Sequence, residues 1–103
     1  MVTHNKLVRD KIPEIIRNEG KSCSVRKLDH WEMKDALGAK LREETDEYLI
    51  ANDPQELADI LEVVYASAEC LGISKAALEE MRSAKAAKNG GFSDRIYLLE
   101  VAE

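Results

Sequence analysis

Apolar residues recur every three or four positions along most of this chain, the spacing of one helix face. From about His30 to Ala51 the stripe is Met33, Leu37, Leu41, Tyr48 and Ala51, which predicts a long helix broken at Asn52 and Asp53. Asp53 suits an N-cap and Pro54 the first position of a second helix running to Gly72, so the two form an antiparallel hairpin with a very short turn. Gln55, Glu62 and Glu69 mark its solvent edge, and Ile60, Val64 and Leu71 its buried side. Ser74 caps a further helix, "SKAALEEMRSAKAAK", that stops at Asn89-Gly90-Gly91. Upstream, Asp10 is the expected cap of a short helix with Pro13 in its first turn, a stripe of Ile12, Ile15 and Ile16, and Gly20 at its end. Two segments read differently. "SCSVRKLD" alternates, and "FSDRIYLLEV" is rich in Tyr, Ile, Leu and Val, so both predict strands that pair with each other. The expected fold is mainly α: a single domain over residues 1–103, a bundle of about four helices built on the hairpin, with a small two-stranded sheet near Val25 and Leu98.

One residue violates the first helical stripe. On a wheel of about 100° per residue, Glu44 falls in the middle of the apolar face, Glu47 roughly 60° to one side, and Glu43 and Asp46 further out. On the second helix Glu56 and Asp59 also turn partly inward, away from the line of Gln55, Glu62 and Glu69. Glu44 and Asp59 are equally distant from the turn, as are Glu47 and Glu56, so folding the hairpin brings four carboxylates to one patch. Two like charges about 5 Å apart cost on the order of 3 kcal/mol at an effective dielectric of 20. Either some of these carboxyls are protonated, or a hard divalent cation sits among them. All-oxygen donors favour Mg²⁺ or Mn²⁺ over Zn²⁺, and neither His4 nor His30 has a ligand-like partner nearby in sequence. The competing view, a solvated acidic helix face, does not account for Glu44 on the stripe.

Composition narrows the partners. With 34% charged and 45% hydrophobic residues the chain fits a folded protein, and its 5% aromatic content suits aliphatic helix packing. A formal net charge of -5 argues against nucleic acid or an anionic membrane surface, while a cation in the patch would still admit a phosphorylated ligand. The run from Ile60 to Ile73 is too short and too interrupted to span a membrane. "MVTHNKLVRD" does not resemble a signal peptide and Cys23 and Cys70 lack CxxC spacing, so the expected setting is cytoplasmic with both thiols reduced.

Leu78, Met81, Lys85 and Lys88 share one line of the last helix, with Arg82 beside it. Turned toward the carboxylates, these cations would meet phosphates; otherwise they complement the helix dipole. Lys6, Arg9 and Lys11 form a second basic group that reads as solvated surface. No P-loop, GxGxxG or nucleophile triad is present.

The acidic residues, Glu43-Glu44-x-x-Glu47 followed by Glu56-x-x-Asp59, resemble the EExxE and ExxD motifs of the MazG-like all-α nucleoside triphosphate pyrophosphohydrolase superfamily. "NKLVRDKIPEII" and "AKNGGFSDRIYLLEV" further resemble its small house-cleaning branch, related to phosphoribosyl-ATP pyrophosphohydrolase. The resemblance implies that Glu44, Glu47, Glu56 and Asp59 bind Mg²⁺, with Mn²⁺ as a substitute. It implies hydrolysis of a nucleoside triphosphate to monophosphate and pyrophosphate by a homodimer or larger homo-oligomer. In that scheme Glu47 is the candidate general base, and Lys85, Lys88 and Arg82 are the candidate phosphate contacts. The alternatives are phosphoribosyl-ATP as substrate and a non-catalytic adaptor docking a basic partner on its acidic patch.

Overall fold

The computed structural model describes residues 2–102. It consists of four helices: α1 (Ile12–Asn18), α2 (His30–Ala51), α3 (Pro54–Cys70) and α4 (Lys75–Asn89). The hairpin of α2 and α3 is its centre; α4 packs on α3 alone, and α1 packs on no other helix.

Local chemistry sets each boundary. Asp29 caps α2 by accepting from the Glu32 amide, and the Glu32 side chain accepts from the Asp29 amide in return, completing a capping box. Arg26 binds the same Glu32 carboxylate at 2.7 Å. At the other end Asn52 adopts the left-handed conformation, with φ 51, and its N–H donates to Tyr48. Asp53 immediately caps α3 by accepting from Gln55, and Pro54 occupies the tolerant first turn. Asn52 and Asp53 thus make the whole turn, as their residue types predict. Gly72, at φ 80, lets the chain reverse after α3 while the Ile73 N–H reaches the Ala68 carbonyl. Ser74 caps α4 through the Ala77 amide.

Three expectations are corrected. Asp10 does not cap α1; Lys11 holds that position without a side-chain bond, because the chain already enters a turn there, with Ile12 N–H donating to Arg9. The two-stranded sheet is absent among the described residues: neither the segment around Val25 nor that around Leu98 is a strand. An alternating or β-branched pattern only states that a segment would pair, and this chain supplies neither segment with a partner. The buried side of α3 centres on Val63 and Ala68, while Leu71 lies beyond the last turn and is exposed.

The core is small. Among the described residues Leu37, Val63 and Ala68 are the buried apolar ones, and large apolar side chains elsewhere stand in solvent, including Trp31, Ile50, Phe92, Tyr97 and Leu99. The chain measures 61 × 31 × 24 Å with a radius of gyration of 18.1 Å, where a compact chain of this length has about 13 Å. Its surface is 9484 Å², against roughly 5,800 Å² for a folded monomer of this mass. No described helix is long and apolar enough to cross a membrane.

Candidate functional site

Glu44 lies in the C-terminal half of α2 on the face turned to α3, and among the described residues it is the buried charged one, only 7% exposed. Opposite it, Glu56 and Asp59 project from the first half of α3. One carboxylate oxygen from each of Glu44, Glu56 and Asp59 lies within 4.8 Å of the others. The wheel and the short turn together account for this convergence: the turn fixes the level and the i,i+3 spacing of Glu56 and Asp59 fixes the face.

Glu47 stands apart. It is exposed and outside the group of three, on the rim of the patch, although its charge is felt at Glu44. Burial pushes the Glu44 carboxyl above its ordinary range, Glu47 adds to that, and Lys40 opposes it.

Cations that sequence reasoning did not assign complete the patch. Lys40 Nζ lies 3.4 Å from both Glu43 and Glu44, an i,i+3 and i,i+4 arrangement that was legible in the helical spacing. Arg9 Nη2 lies 2.7 Å from Asp59 Oδ1, and Lys6 Nζ 3.6 Å from Glu43. The segment before α1 therefore crosses the hairpin at the carboxylates: Lys6, Arg9 and Lys11 are exposed, as their sequence suggested, and Lys6 and Arg9 also pair with acids of the patch. No sequence signal announces a contact across 50 residues.

The expected cations of α4 are elsewhere. Lys85 and Lys88 are exposed and α4 makes no contact with α2, while Arg82 is bound to Glu79 of its own helix. The chain does not bring this line to its own carboxylates.

Glu43, Glu44, Glu47, Glu56 and Asp59 face Lys6, Arg9 and Lys40, so five formal negative charges meet three positive ones. Glu44 Oε2 and Glu56 Oε2 are buried without a hydrogen-bond partner. Orphaned carboxylate oxygens are costly in a folded interior. An oxygen-only donor set with a residual double negative charge and two orphaned oxygens fits a hard divalent cation such as Mg²⁺ or Mn²⁺.

Comparison with protein-family models, curated proteins and solved structures returned no match.

Proposed function

We propose that this protein is a metal-dependent nucleoside triphosphate pyrophosphohydrolase. The observation that carries this reading is Glu44: a buried carboxylate with an orphaned oxygen, directed at Glu56 and Asp59 across a helix hairpin. A helix face evolved only for solubility would leave that charge outside.

Glu44, Glu56 and Asp59 would hold Mg²⁺ or Mn²⁺, which when bound supplies charge neutralisation and orientation for the phosphates. Glu47, exposed on the rim, would take the proton of an attacking water. The water oxygen bonds to the α-phosphorus, the α–β bridging bond breaks, and its electron pair leaves with pyrophosphate. Lys85 and Lys88 would meet phosphate only from a second copy, since α4 of the same chain lies off the patch. The apolar surface left open agrees with such an assembly, as a homodimer or larger. Cys23 and Cys70 are free thiols, in keeping with a cytoplasmic setting.

The deciding experiment measures pyrophosphate release with Mg²⁺ across ordinary, deaminated and oxidised nucleoside triphosphates and phosphoribosyl-ATP, with and without EDTA. Turnover that EDTA abolishes is expected, and the preferred member of the panel names the substrate. No turnover on any member would leave the acidic patch as a docking surface and overturn the enzymatic reading.

A further inference from the structure

Arg9 occupies an unusual position for a surface cation. It reaches Asp59, one of the three converging carboxylates, from a segment that precedes every helix. That segment is anchored: Leu7 is half-buried, Lys6 is tied to Glu43, and Asn5, Lys6 and Leu7 line a hollow of about 130 Å³ against Ala36, Ala39 and Lys40. Arg9 uses only Nη2 in this bond, and its other guanidinium donors have no side-chain partner among the described residues. The bond is to Oδ1 of a carboxylate that a cation in the patch would also need.

A guanidinium and a divalent cation compete for the same carboxylate and repel each other when both are present. A phosphate chain resolves the conflict, since its oxygens serve the cation on one side and present a planar fork of acceptors to arginine on the other. Lys6 and Lys40, on the same edge of the patch, add charge for the remaining phosphate oxygens. We propose that Arg9 is a phosphate-binding residue, which bonds Asp59 in the metal-free protein and exchanges that bond for the substrate's polyphosphate when the carboxylates hold a cation. This rests on the metal-dependent reading of the patch.

The proposal predicts opposite effects of one substitution on two ligands. In the full-length chain, Mn²⁺ binding is measured calorimetrically without any anion, and pyrophosphate binding is then measured at saturating Mn²⁺. Arg9→Ala removes a competitor, so Mn²⁺ binds severalfold tighter; it also removes the fork, so pyrophosphate binds about tenfold more weakly or worse. Arg9→Lys, which keeps the charge and loses the fork, falls between wild type and Arg9→Ala for pyrophosphate. Lys11→Ala, an exposed neighbour on no carboxylate of the patch, leaves both affinities unchanged. Unaltered pyrophosphate affinity in Arg9→Ala would reduce Arg9 to a surface ion pair and overturn the proposal. Parallel weakening of Mn²⁺ and pyrophosphate would overturn it too, because Arg9 would then be positioning Asp59. If the wild-type chain binds no Mn²⁺, the metal reading itself fails and takes this inference with it, a result distinct from the other two.

Discussion

Glu44 is where a single residue decides most. Its carboxyl is raised by burial, so its penalty on the fold is absent below the unfolded pKa, grows as pH rises from there to the folded pKa, and is complete above it. At neutral pH the metal-free protein therefore carries that penalty, and Glu44→Gln removes it together with the Lys40 ion pair. We expect the metal-free melting temperature to hold or rise, by no more than about 1 kcal/mol of stability, while Mn²⁺ affinity collapses in the same variant. Glu43→Gln, whose side chain meets only Lys6 and Lys40 at the edge, should alter Mn²⁺ affinity little. Equal losses in the two variants would contradict the division into inward and outward acids.

A second residue offers a test of local structure. Glu32, held by Arg26 and by the Asp29 amide, has its carboxyl lowered to about 2. An NMR titration should find that value, and Arg26→Ala should return it toward the ordinary glutamate range. Since the folded value is depressed, the contribution of this cap is complete above the unfolded pKa. It is lost progressively as pH falls from that unfolded value toward about 2.

Among the elements, α4 packs on α3 alone and leaves Lys85 and Lys88 exposed. If Lys85 and Lys88 merely complement the α4 dipole, alanine at either position costs at most about 1 kcal/mol and leaves turnover untouched. If they reach a second copy's carboxylates, the double variant loses kcat/KM on nucleotide while its Mn²⁺ affinity stays that of wild type, and we expect this second result. Mixing the double variant with Glu44→Gln should then restore part of the activity, because a mixed assembly contains one intact combination of cationic line and carboxylates. Failure of the mixture to recover activity, with assembly intact, would confine α4 to a structural role.

For the whole molecule, surface is the governing quantity. The chain exposes roughly 3,600 Å² more than a compact monomer of its mass would, and large permanent interfaces run to about 2,000–5,000 Å² in total. Phe92, Ile96, Tyr97, Leu98 and Leu99 account for part of that excess, in a segment with no helix or strand of its own and Phe92 97% exposed. Sedimentation at micromolar concentration should give a mass at least twice the chain's 11.6 kDa. Removing residues 92–103 should shift that distribution toward the single chain. A compact monomer at all concentrations would exclude both the assembly and the role of α4 within it.

The helices were legible because their causes are local. Asp29, Asn52, Asp53, Pro54 and Ser74 act within a few residues of themselves, and an apolar stripe repeats within one helix. The site was half legible for the same reason: a two-residue turn makes Glu44, Glu56 and Asp59 near neighbours in effect, so wheel positions suffice to bring them together. Glu47 fell to the rim because roughly 60° of rotation separates facing a partner helix from flanking it, and only actual packing settles which applies. Arg9 at Asp59 had no local cause, as the bond depends on the path of a segment 50 residues away. The sheet failed on the same ground. Strand residues at Val25 and Leu98 express a demand for backbone partners, and whether the demand is met is decided by what the rest of the fold, or a second copy, places beside them.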